Sequence, residues 1–216
     1  MSRPLSALSK ALNNAGYDVV LSALPDFGKW IASHGVADHP AGEPAREIVN
    51  TFAEAIENDR FFRSLARAGY EQKFRALFES VAKASQGADL LIYSPLMASV
   101  TFLAEMRETP AIGVYLAPAF PTGDFAVPMQ PRFSYGRLVN RLLHRAVDLI
   151  LLNMFRPWWD AVRSGFASLK PFSRFHVIHT INGKPVPHLF ASRARPRGWP
   201  SHAIMTGNFF LEVDES

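Results

Sequence analysis

Two patterns of apolar residues alternate along the chain: recurrence at three- and four-residue steps, and short unbroken runs. Leu5, Leu8, Leu12 and Ala15 predict an amphipathic helix over 4–15, stopped at Gly16. Residues 17–23 (YDVVLSA) then read as a strand closed by Pro25, and Phe27, Trp30 and Ile31 mark a short helix over 27–34 that ends at Gly35. The stretch 39–44 (HPAGEP) reads as a loop by composition. Helical periodicity returns over 45–57 and 59–84, where Phe62, Leu65, Tyr70, Phe74, Leu77, Phe78 and Val81 fall mostly on one face. Residues 90–93 (LLIY) and 111–116 (AIGVYL) are strands of the buried type, with a helix over 97–108 between them. A Pro-rich loop with three aromatics fills 117–134, a helix with a break at Pro157 is predicted over 135–166, and short strands follow at 188–191 and 203–206.

Apolar strands joined by helices imply parallel pairing, because parallel neighbours need a crossover. Continuous rather than alternating strands imply a sheet covered on both faces. The expected class is therefore α/β, a Rossmann-like, doubly wound and mostly parallel sheet. Ligands in such folds bind beyond the carboxyl ends of the strands, which nominates the loops at 25–26, 93–95 and 117–134.

Composition narrows the chemistry. Of 216 residues, 48% are hydrophobic and 19% charged, a globular balance. Cysteine is absent, which removes disulfides, thiol nucleophiles and thiolate metal sites. The net charge of +4 conceals an asymmetry: residues 132–200 carry 12 Lys and Arg against 2 Asp and Glu, whereas the flanking segments are acidic on balance. That positive field suits either an anionic partner or a merely solvated helix face. Over 135–155, Arg137, Arg141, His144 and Arg145 share one side of the helix. Its broad apolar side suits burial in the protein, with contact to an anionic membrane surface as the competing reading.

No Gly-rich phosphate loop follows a strand, no His-Glu-x-x-His is present, and no Gly-x-Ser-x-Gly elbow supports a hydrolase. His176 and His179 lack a nearby carboxylate partner, so no metal is expected. Asp26 fits a carboxylate base or a helix N-cap. Ser94 fits a ligand contact or a strand-ending turn. Phe120, Phe125 and Phe133 either line an apolar pocket or anchor their loop on the core, and Trp158 and Trp159 read as packing residues.

The opening RPLSALSKALNNAGYDVVLSALPDFGKWIASHGV, the middle DLLIYSPLMASVTFLAEMRETPAIGVYLAPAFPT and the end GWPSHAIMTGNFF resemble, in order and spacing, the acceptor-binding domain of nucleotide-sugar glycosyltransferases with the glycosyltransferase-B fold. The nearest branch is that of the sterol and antibiotic glucosyltransferases and related rhamnosyltransferases. The resemblance implies one acceptor-binding domain over 1–207, lacking the family's first strand, and the start of an interdomain linker over 208–216. Aligned on Pro4, the family's catalytic Asp or His falls at Met1, so no catalytic residue is carried over.

What it implies for function is the acceptor-binding half of an enzyme that moves a hexosyl group from a nucleotide sugar to a hydrophobic lipid, sterol or aglycone hydroxyl. The contacts it implies come from loops 24–27, 93–97 and 117–133: Asp26, Phe27, Tyr93, Ser94, Met97, Pro118, Phe120, Thr122 and Phe133. The nucleotide sugar, a UDP- or TDP-sugar, is expected on a separate C-terminal domain, with no cofactor held by this chain. Expected partners are the acceptor, a donor-binding domain or subunit or a second copy, and an anionic membrane surface through 132–200, but no nucleic acid. The expected location is cytoplasmic or peripheral at the inner membrane face. Two other classes compete: a non-catalytic hydrophobic-ligand or partner-binding protein derived from that domain, and an unrelated enzyme using Asp26 or a histidine as base. Loss of a first strand would also leave sheet edges unpaired, which predicts self-association or a partner surface.

Overall fold

The apolar runs become parallel strands, and the periodic stretches between them become the crossovers. The computed structural model describes residues 2–47, 50, 70–116, 120–127, 135–165, 180–181, 184–190, 195–207 and 209–210. The chain divides into two units, one of residues 1–88 with 209–216 and one of residues 89–208.

In the first unit, helix α1 (Ser2–Asn14) leads to strand β1 (Val20–Ala23). A helical turn at Pro25–Phe27 runs into α2 (Gly28–Ser33), and β2 (Ala37–Pro40) follows. Strands β1 and β2 pair in parallel, Val20 opposite Ala37 and Ala23 opposite Pro40, with the fully buried Ile31 of α2 in the crossover. Strand β2 corrects the reading of 39–44 as a loop from its first residue. It carries no apolar run because Asp38 and His39 are only half-buried between exposed ends. Pro40 stands at its last position, where a missing N–H costs the ladder least. Strand β1 starts at Val20 rather than at 17, and Tyr17 is exposed. Helix α3 (Tyr70–Ala84) covers the end of the stretch predicted over 59–84 and buries Phe78. The helices expected over 45–57 and 59–69 lie almost wholly outside the described residues.

The second unit holds β3 (Leu91–Tyr93), α4 (Val100–Arg107), β4 (Ala111–Tyr115) and the long α5 (Arg137–Ser164). A small antiparallel pair, β5 (Thr180–Ile181) with β6 (Lys184–Pro185), precedes β7 (His188–Phe190) and β8 (Ala203–Met205). The sheet order is β3-β4-β7-β8, and every neighbouring pair is parallel. Tyr93, Gly113, His188 and Ala203 stand in one rank across it, with Tyr115, Phe190 and Met205 two residues further on and on the same face. Helix α4 buries Val100 through Ala104 without a break, as a helix deep in a core must.

Helix α5 departs from its predicted form twice. It runs through Pro157 without interruption. The proline removes the bond to the carbonyl of Asn153, but both residues are exposed and water can take that acceptor. Nor is its apolar side buried throughout. Asn140 and His144 are buried, while Leu138, Leu142, Leu149 and Ile150 are 73%, 54%, 57% and 56% exposed.

Candidate functional site

In the second unit the strand ends carry rings. Strand β3 ends on Tyr93, β4 on Tyr115 and β7 on Phe190, all buried and all on one face of the sheet. The loop after β4 returns over them and inserts Phe120, whose ring centroid lies 5.2 Å from that of His188, 5.4 Å from Phe190, 5.5 Å from Trp199 and 5.7 Å from His202. Phe120 is 7% exposed within this aromatic cluster, where its ring packs its loop onto the sheet.

His188 lies at the centre of the rank and is fully buried. Its Nδ1–H donates to the Val186 carbonyl at 2.6 Å, which fixes the tautomer. Burial lowers its pKa to about 4, against the smaller upward pull of that hydrogen bond. The ring fits only because β4 has a glycine opposite. A Cβ on Gly113 would stand 2.7 Å from Cδ2 of His188 and 2.9 Å from Cε2 of Tyr115. Gly113→Ala is therefore expected to destabilise the chain by about 1–3 kcal/mol, the usual cost of overpacking, measured as a lowered urea midpoint at unchanged slope. A midpoint equal to the parent's would show that the two rings yield freely.

The loop is fixed along its length. Thr122, 1% exposed, accepts the Asp124 N–H on its Oγ1 at 3.1 Å. Asp124 receives the backbone N–H of Arg197 at 2.7 Å and the guanidinium of Arg137 at 3.1 Å. The first of these bonds, then the second, holds its carboxyl below the usual carboxylate range. From α5, Asn140 Nδ2 donates to the Gly123 carbonyl and His144 Nε2 to the Phe125 carbonyl, each at 3.2 Å. Gly123 allows that approach, since a Cβ there would lie 2.7 Å from the Arg137 carbonyl. The buried polar side of α5 is thus a clamp for the loop.

In the second unit two hydroxyls and one indole are enclosed without partners. Among the described residues Tyr93 Oη, Ser99 Oγ and Trp199 Nε1 are buried and make no hydrogen bond. Burial also drives the Tyr93 phenol well above its ordinary pKa, with a smaller contribution from Tyr115, so it stays protonated and can donate.

Ser94 and Met97 are half-buried at the turn after β3, where the Met97 N–H bonds the Ser94 carbonyl at 2.8 Å. Asp26 and Phe27 belong to the first unit, in the turn after β1. The Asp26 carboxylate accepts the Ala45 N–H at 2.5 Å, and the residue preceding its own turn is Leu24. This corrects the local N-cap reading. Pro118 and Phe133 lie outside the described residues, as do His176 and His179. Trp159 packs on Phe155 and Phe102, as read. Among the described residues no group of His, Asp and Glu is placed to hold a metal. Sequence reasoning missed Tyr115, His188, Trp199 and His202. The available signal was that AIGVYL, like LLIY, carries a tyrosine at the end of an apolar run.

A parallel α/β sheet with an aromatic carboxyl end defines a Rossmann-like fold. No family model matches the chain. The sterol 3-beta-glucosyltransferase of Eremothecium gossypii is 31% identical over 167 aligned residues, covering 75% of this chain and 13% of that protein. The sterol 3-beta-glucosyltransferase of Penicillium rubens is 31% identical over 223 aligned positions, covering 97% of this chain and 15% of that protein. Among solved structures, the Streptomyces sp. SF2575 glycosyltransferase SsfS6, complexed with thymidine diphosphate, gives a TM-score of 0.49 at 13% identity, over 94% of this chain and 48% of that one. Over most of its own length the chain is thus similar to sterol glucosyltransferases. It spans less than a sixth of the length of the curated relatives it matches.

Proposed function

We propose that this chain is the acceptor-binding part of a glycosyltransferase and that its acceptor is a hydrophobic molecule with a hydroxyl group, of the sterol or aglycone kind. The observation that carries the reading is the Tyr93 hydroxyl: enclosed at the carboxyl end of β3, unpartnered, and beside an aromatic cluster. A buried donor without a partner costs about 1–3 kcal/mol, and a ligand hydroxyl entering beside it would remove that cost. Ser94, Met97, Phe120 and Thr122 of the same unit, with Pro118 and Phe133, complete the proposed acceptor contacts; Asp26 and Phe27 are not needed for it. The names of the relatives support a sterol-like acceptor and a hexosyl product. In the transfer, the acceptor oxygen loses its proton to a base and attacks the anomeric carbon as the nucleoside diphosphate leaves. In this reading the UDP- or TDP-sugar and the base lie on parts of the enzyme other than the residues named here. A lipid acceptor is presented at a membrane, and the positive charge of 132–200 suits an anionic one.

The test is titration of the chain with a water-dispersed sterol, followed by tryptophan fluorescence. Tyr93→Phe is expected to weaken sterol binding about 5-fold, the worth of one hydrogen bond, while stabilising the unliganded chain by about 1 kcal/mol. Equal affinity in the two proteins, or a preference for free sugars over sterols, would refute the assignment.

A further inference from the structure

Helix α5 turns two polar residues, Asn140 and His144, inward. Asn140 and His144 hold the carbonyls of Gly123 and Phe125, which leaves the leucines of the opposite side in solvent. At 3.6 residues per turn, Leu138, Leu142 and Leu149 lie along one line, with Val139 and Ile150 on one flank. On the other flank stand Arg141 and Arg145, both exposed. Arg137 precedes them, paired at the surface with Asp124. A soluble helix has no reason to show water this many leucines, and an apolar stripe of this kind marks an interaction surface.

The charges identify the occupant. Of the acidic residues in α5, Asp148 is half-buried and Asp160 pairs with Arg156. Neither forms an ion pair with Arg141 or Arg145 among the described residues. A second copy of the same face would bring arginines to arginines, whereas lipid phosphates would complement them. No helix among the described residues is long and apolar enough to cross a membrane. A helix with an apolar stripe bordered by arginines lies along a bilayer instead. We propose that the exposed face of α5, centred on Leu138, Leu142 and Leu149 with Arg141 and Arg145 at its border, docks on the headgroup region of an anionic lipid bilayer. The surface deepens the acceptor reading by naming where a lipid acceptor is met, and it is testable apart from it.

The experiment is flotation of the full chain with sterol-free phosphatidylcholine vesicles, with and without about one-third phosphatidylglycerol. The parent is expected to float with the anionic vesicles, less with the neutral ones, and less as salt is raised. Leu138→Ser/Leu142→Ser/Leu149→Ser is expected to lose on the order of 10-fold or more in partitioning. Arg141→Gln/Arg145→Gln is expected to lose about 5-fold per arginine at low salt, with the difference fading at high salt. All five side chains are exposed, so melting curves should match the parent's, and the arginine variant keeps the apolar stripe should the leucine variant misfold. Failure of the parent to float, unchanged flotation of the arginine variant, or a parent dimer that the leucine variant abolishes would overturn the proposal. Sterol titration in vesicle-free solution separates the two readings. If it persists in chains that do not float, only the docking surface falls; if it is absent from chains that float, only the acceptor reading falls.

Discussion

Replacing Arg163 with leucine is expected to destabilise the chain by about 3–5 kcal/mol. Its side chain is 2% exposed and that of Glu105 16%, with Nη1 and Oε2 3.1 Å apart, so the pair joins α5 to α4 away from water. The guanidinium carbon also sits 4.7 Å from the centroid of the Phe102 ring, which adds a cation–π contact. Leucine occupies part of the volume but leaves a carboxylate in a poorly solvated place without its cation, and that stranded charge accounts for most of the cost. The double variant Arg163→Leu/Glu105→Leu removes both charges and is expected to recover most of the loss, because an ion pair and an apolar pair of similar volume are close in free energy. Urea denaturation of the parent, both single variants and the double variant gives the coupling directly. A single-variant loss under about 1 kcal/mol, or a double variant as unstable as Arg163→Leu, would mean that the pair carries little of the α4–α5 packing.

That pair was invisible in the sequence, and the reason is general to this chain. Local patterns report which face of an element is apolar; they do not report which polar residue crosses to a distant partner. The apolar runs VVLSA, LLIY and AIGVYL announced β1, β3 and β4 because buried parallel strands need no alternation. Strand β2 escaped because an edge strand can be built of Asp, His and Pro. The resemblance to glycosyltransferases was legible because it rests on order and spacing, which survive changes at single sites. The site was legible only as loops. Tyr93 and Phe120 could be nominated from their positions after β3 and β4, but not the cluster they join, since His188, Trp199 and His202 arrive through sheet register and a return of the chain. Helix α5 failed in the opposite way: its leucines read as core, yet the loop it clamps, Thr122 to Val127, needs hydrogen-bond donors and so claims the polar side.

The pH dependence of stability is expected to hold two opposed contributions that substitution can separate. His188 has a folded pKa of about 4, below the ordinary value near 6.5 that it regains on unfolding. Between those values the unfolded chain binds more protons, so its contribution is complete above about pH 6.5 and is lost as pH falls through about 4. For a fully buried ring that loss is about 3 kcal/mol. Asp148 works the other way: burial raises its carboxyl to about 6, so between the ordinary carboxylate value and 6 the folded chain binds more protons, and stability falls as pH rises. In the parent the two slopes oppose one another below pH 6, and the carboxyl of Asp124, held low by Arg197 and Arg137, adds a gentle loss toward acid. Asp148→Asn is expected to expose the histidine: unfolding free energy measured in urea from about pH 7 to about 4 should drop by about 3 kcal/mol, more steeply than in the parent. His188→Phe should reverse the difference and leave a chain that gains stability relative to the parent as pH falls over the same interval. The slope is the quantity to compare, because the second substitution also strands the Val186 carbonyl and lowers stability at every pH. Identical slopes in all three proteins would show that the ring at the centre of the aromatic cluster takes up its proton without unfolding the strand that carries it.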